Sequence, residues 1–182
     1  MKKTVHEKVL WTVRTGVLLA LLVGLQAATK PLGQLVTGSC VNTVLAVAAL
    51  IGGMSCGLTI AVISPVLAYL LGIAPQAVTV PAIMVGNCVY VVGLSLLYAD
   101  AIPRRILAWL TASAAKAAVL YGIVAWLICG VLAPTLLQSG LLKEPMLTKL
   151  PAMFSWAQLF TALIGGALAM VTVPLVKKAL KK

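Results

Sequence analysis

Acidic side chains are almost missing from this sequence: Glu7, Asp100 and Glu144 are the only three in 182 residues, and each falls at the edge of an apolar run. The interiors of those runs therefore lack a carboxylate, which excludes paired-carboxylate acid–base catalysis, carboxylate metal sites and proton-relay acids. Histidine is nearly as scarce. His6, the single one, sits in a basic N-terminal tail and reads as solvated. Cys40, Cys56, Cys88 and Cys129 are scattered singly in apolar surroundings, with no C-x-x-C pair and no neighbouring His; they read as small packing residues, and no metal or cofactor is expected. A Walker A motif is also absent, so any ATP-driven work has to come from partners. With no His, acid or metal constellation, an enzyme ranks last among the function classes.

Charged residues make up 9% of the chain against 62% hydrophobic, where a soluble domain carries about 25% charged. No water-facing surface can be built from that composition. The formal charge of +11 does not point to nucleic acid, because the Lys and Arg residues lie in short clusters between apolar stretches instead of on one continuous surface.

What is abundant is apolar length. A helix needs about 20 predominantly apolar residues to cross a hydrocarbon core about 30 Å thick. Six stretches qualify, near 10–28, 35–52, 55–71, 81–98, 106–133 and 152–176, and predict an all-α, polytopic six-helix bundle forming a single transmembrane domain. The second and third are separated only by Gly52, Gly53, Met54 and Ser55. One helix over 35–71 would run to roughly 55 Å, far beyond an ordinary bilayer, so a tight turn there is the cheaper solution. Pro65 is expected to kink the third span.

Cytoplasmic loops carry the Lys and Arg excess of a membrane protein, and six spans place Lys2, Lys3, Lys8, Arg14, Arg104, Arg105, Lys177, Lys178, Lys181 and Lys182 on one side. The other side receives only Lys30, Lys143 and Lys149. Both termini are thus expected in the cytoplasm, in a multi-pass protein of the plasma membrane. The basic start, the apolar run 16–25 and the small residues Ala27 and Ala28 resemble a cleaved signal peptide, but the basic region is long for one. No soluble domain, long linker or transporter-type internal repeat is visible.

Gly16, Ala20, Gly24 and Ala28 recur every four residues along the first span, on one slowly turning stripe. Small side chains let another helix backbone come close, either a neighbouring span or a second protein. A chain of this length with six helices, such a stripe and few intramembrane charges resembles the substrate-binding (S) component of an energy-coupling-factor transporter. The segment Gly33-Gln34-Leu35-Val36-Thr37-Gly38-Ser39-Cys40-Val41-Asn42, the Gly- and Ala-rich hairpin through Ser64-Pro65, and Pro81-Ala82-Ile83-Met84-Val85-Gly86-Asn87 are similar to vitamin-uptake members of that family. The stripe departs from the alanines usual there at Gly16 and Gly24. The resemblance implies capture of a vitamin outside, and docking through the first helix onto a transmembrane coupling subunit that carries two cytoplasmic ATPases.

A capture protein should hold its polar groups near the outer helix ends, under loops that close over a ligand. The outer loops are 29–34, 72–80 and 134–151, the last long enough to act as a lid. Gln34, Gly38 and Asn42 fall on one face of the second span, while Asn87 and Tyr90 lie about two turns inside the fourth. A buried amide costs several kcal/mol without a partner, so Asn42 and Asn87 face either a cavity or another helix. On the sixth span Ser155 and Gln158 share a face, and Trp156 either stacks on a planar ligand or sits in an interfacial belt. Lys116 is the one ionisable side chain deep within a span and has no carboxylate partner. The possibilities open to it are snorkelling, loss of its proton, backbone carbonyls, a partner subunit, or an anionic ligand. The missing interior acids argue against a cationic ligand and favour a neutral or carboxylate-bearing one.

The leading expectation is therefore an S component. Its main competitor is a structural or assembly membrane protein with no small-molecule ligand, whose amides only fasten helices together and whose interior is dry. A secondary transporter working alone would want an intramembrane acid for coupling, and none exists.

Overall fold

A capping box opens the first helix: the Thr4 amide donates to Glu7 Oε2 at 2.9 Å and the Glu7 amide to Thr4 Oγ1 at 3.3 Å. Helix α1 consequently spans Val5–Thr29, starting five residues before the apolar run. A computed structural model describes residues 4–73, 76–99 and 101–180. Lys2, Lys3, Asp100, Lys181 and Lys182, which entered the charge reading, lie outside the described residues, as do positions 74 and 75 of the loop 72–80.

Every regular element among the described residues is helical. After α1 come a 3-10 turn Lys30–Leu32, α2 (Gln34–Val47) continued by a π-helical turn Ala48–Gly52, and α3 (Met54–Leu70). Gly53 separates α2 from α3 with φ +88°, and Gly33 precedes α2 with φ +87°, a region that favours glycine. The turn expected between the second and third spans is thus present. A 3-10 turn Ala77–Thr79 leads into α4 (Val80–Leu97). Next, α5 (Ile102–Tyr121) runs on as a π-helical segment Gly122–Val131. Short helices α6 (Ala133–Gln138) and α7 (Glu144–Met153) precede α8 (Trp156–Leu180).

Five of these segments are long and apolar enough to cross a membrane: Val5–Leu32, Gln34–Gly52, Ala77–Leu97, Ile102–Val131 and Glu144–Ala179. The remaining apolar helix, Met54–Leu70, has 17 residues. One expectation needs correcting. The stretch 134–151 is not an open loop, because Pro134 and Pro145 start helices in it and Leu142, Leu150 and Phe154 are buried against the end of α5.

Packing follows a ring in which α1 meets α2, α2 meets α8, α8 meets α5, α5 meets α4, α4 meets α3 and α3 returns to α1. Outward faces are apolar, with Val17, Leu21, Leu70, Leu96, Leu107 and Val171 at least half exposed. A contiguous surface of that kind is compatible with a multi-pass membrane protein and foreign to water. Inside the ring lie two apolar clusters, one around Leu45, Ile60, Tyr90, Leu94 and Val173, the other around Ala82, Leu120, Val124, Leu150 and Phe154.

The two ends of the bundle differ. At one, Trp11 Nε1 donates to Ser55 Oγ at 3.1 Å, and Arg105 and Lys177 flank the Tyr98 ring at 5.7 and 5.5 Å, bringing together the ends of α4 and α8 and the start of α5. The opposite end gathers the C-termini of α1 and α3 with the N-termini of α2, α4 and α8.

Candidate functional site

Lys116 is buried because of where it falls on α5. Ala108, Ala112, Lys116 and Leu120 recur every four residues and form that helix's buried stripe. Ala112 belongs to one apolar cluster and Leu120 to the other, so the ammonium lies in the layer between them. It is 2% exposed and does not snorkel. Its Nζ donates to Asn42 Oδ1 at 2.5 Å and to Asn87 Oδ1 at 2.7 Å, and stands 5.4 Å from the centroid of the Tyr90 ring. Two neutral amide oxygens and an aromatic face thus solvate one cation.

Four helices bring those groups to one level. Asn42 comes from α2 and Asn87 from α4, while Asn42 Nδ2 donates to Thr161 Oγ1 of α8 at 3.3 Å. Glycines make the approach possible. A Cβ on Gly165 of α8 would collide with Asn42 Cβ and Ser39 O of α2, and one on Gly86 of α4 with the Leu120 side chain of α5.

Above the polar layer, at the end opposite the N-terminus, is a cavity of about 230 Å³. A single water needs about 10–15 Å³ by this measure, so the space suits a small organic molecule. Gln34, Asn42, Asn87, Lys116 and Gln158 all line it, five of the seven residues singled out for binding. The other two stand elsewhere. Tyr90 is fully buried beneath the ammonium, its hydroxyl 3.4 Å from Ala162 O, and Trp156 is 71% exposed on the outer surface. Trp156 begins α8 after the turn that ends α7, which directs it away from the ring.

Among the lining residues that sequence reasoning did not assign to the site are Gln26, Thr37, Val41, Ser64, Met153 and Phe154. Thr37 and Val41 were within reach, since Gln34, Thr37, Gly38, Val41 and Asn42 follow the i, i+3, i+4, i+7, i+8 spacing of one helix face. Gln26 and Ser64 offered only the weaker signal of polar residues inside apolar runs. Among the described residues, Gln26 Oε1, Thr37 Oγ1, Ser64 Oγ and Asn87 Nδ2 are buried without a hydrogen-bond partner, and all four residues border this cavity. No three His, Cys, Asp or Glu side chains gather as a metal would require among the described residues.

The α7 segment is tied across the cavity mouth by Gln34 Nε2, which donates to Met153 O at 2.8 Å. Gln34→Ala removes that tie. Hydrogen exchange should then show α7 opening about fivefold more often, as expected for a bond worth about 1 kcal/mol, with α5 unchanged.

Among the described residues nothing covers the small-residue stripe of α1: Gly16, Ala20, Gly24 and Ala28 are all exposed, and a Cβ on Gly16 or Gly24 would meet nothing within 4 Å. No family model, curated protein or solved structure matches this chain. Fold and site together are compatible with an all-helical, multi-pass membrane protein holding, at one end, a largely apolar cavity with a few polar groups in its wall.

Proposed function

We propose that this protein is a substrate-capture subunit of an energy-coupling-factor importer. In this reading it crosses the plasma membrane six times with both termini in the cytoplasm. It binds a water-soluble vitamin or related micronutrient from outside and delivers it with a transmembrane coupling subunit and two cytoplasmic ATPases. The observation that carries the reading is the cavity, four of whose lining residues each carry a buried polar atom without a hydrogen-bond partner among the described residues. Such atoms cost several kcal/mol each in an apolar medium unless water or a ligand meets them.

Three further features support it. Helix α3, with 17 residues, rises ~25 Å, at the short end of what spans a bilayer and sufficient for the sixth crossing. Lys8, Arg14, Arg104, Arg105, Lys177 and Lys178 belong to the end remote from the cavity, against Lys30, Lys143 and Lys149 at the cavity end, so the positive-inside rule turns the cavity outward. The open stripe on α1 leaves a smooth seam for the coupling subunit. A purely structural protein calls for a filled interior, and the 230 Å³ cavity speaks against that alternative.

Mass spectrometry of small molecules carried through purification is expected to find one bound compound, lost in Asn87→Ala and in Lys116→Ala. Gly24→Leu should keep the compound and stop co-purification with the coupling subunit. The reading is overturned if the protein binds none of a panel of vitamins and cobalamins and also brings down no coupling subunit.

A further inference from the structure

Resting on the capture reading, we infer that the cavity selects an organic monocarboxylate whose acid group sits against Lys116 and Asn87 and whose other end carries N–H or O–H groups. An ammonium has three donors and no acceptor. Two of the Lys116 donors go to the amide oxygens of Asn42 and Asn87, and the third makes no hydrogen bond among the described residues, with only the face of the Tyr90 ring 5.4 Å away. Because Lys116 can only donate, the amide oxygen of Asn87 must face it, and Nδ2 is turned elsewhere. That Nδ2 is the buried donor left without a partner. One amide therefore sets a free N–H beside an ammonium with an unused N–H, both on residues lining the cavity. Two neighbouring donors, one of them cationic, match the two oxygens of a carboxylate.

Charge count selects the carboxylate over a phosphate. No Asp or Glu lines the cavity, so the charge of Lys116 is answered only by neutral oxygens. A single negative charge completes the site, whereas a phosphate near neutral pH brings up to two. No Arg borders the cavity, and Lys30 at its rim is already bonded to Gly72 O at 2.7 Å. The remaining polar residues of the lining bear on the rest of the ligand. Gln26 Oε1 needs a donor, and the Thr37 and Ser64 hydroxyls can give or take a proton. Much of the remaining lining is apolar, including Val41, Pro65, Ile83 and Phe154. The molecule thus combines further polar groups with apolar surface.

Acid and carboxamide pairs test this directly on the purified full-length protein in detergent: nicotinate against nicotinamide, 4-hydroxybenzoate against 4-hydroxybenzamide, biotin against biotinamide, with inorganic phosphate as the multiply charged anion. Calorimetric titration should show at least one acid binding tenfold or more tighter than its amide, and phosphate not competing with it. Asn87→Asp, which puts a carboxylate beside the ammonium at unchanged size, should weaken the acid at least tenfold more than it weakens the amide. Lys116→Met should bring acid and amide to equal affinity. Amides that bind as tightly as their acids, or phosphate that displaces the acid, overturn the inference while leaving the capture reading standing. If no pair binds and no small molecule survives purification, both fall. The paired affinities of the unaltered protein decide the matter even where a variant does not fold.

Discussion

Gly165→Leu is expected to drive α8 away from α2 and to lower the melting temperature of the purified protein by roughly 2–12 °C. A Cβ at that position stands 2.5 Å from Asn42 Cβ, 2.6 Å from Ser39 O and 2.9 Å from Thr43 N, so two of its three neighbours are backbone that cannot rotate aside. Overpacking of this kind costs about 1–3 kcal/mol or more, and each kcal/mol moves the transition of a chain this size by about 2–4 °C. The same displacement pulls Thr161 from Asn42 Nδ2 and loosens the cradle of Lys116, so bound ligand should be lost with it. Gly16→Leu is the matched control. Nothing lies within 4 Å of its Cβ, and its stability should stay within about 0.5 kcal/mol of the parent. Equal melting of the two variants would show that α2 and α8 do not meet at Gly165.

The second large effect concerns the buried cation. Asn42→Leu together with Asn87→Leu removes both oxygens that accept from Lys116 Nζ, leaving an ammonium among apolar side chains. Stranding a buried charge costs about 3–5 kcal/mol. Adding Lys116→Met to the pair should restore most of that loss, because an apolar layer of similar shape strands nothing. Thermal unfolding in detergent then ranks the parent and the triple variant together, well above the double variant. A triple variant no more stable than the double would show that these amides do not hold the ammonium.

Much of the bundle was legible from apolar length alone. The runs near 81–98 and 35–52 lie within a residue of α4 and of α2 with its π turn, because a long unbroken apolar stretch bounded by Gly or Pro leaves the backbone one way to satisfy its hydrogen bonds. The stretch 134–151 read wrongly as a loop. Its helices are short, and what orders them is burial of Leu142, Leu150 and Phe154 against residues of α4 and α5, which no local window contains. Trp156 illustrates a related failure, since aromatic character says that a ring can stack, whereas the turn before α8 decides which way it faces. Gln26 and Ser64 were overlooked for the opposite reason: each is a single polar residue in an apolar run, and only the cavity shows what the pair shares.

Composition and periodicity by themselves determined that the chain is helical, that it has no interior acid, and that Lys116 is the one deep cation, since these depend on residue identity and local spacing. The tertiary structure alone decided that Lys116 meets Asn42, 74 residues away, and that the α1 stripe is left uncovered. Helix formation is a local balance of hydrogen bonding and burial. Which side chains arrive at one point is set by where helices can touch, and here that is governed by glycines on α4 and α8 that no single helix reveals.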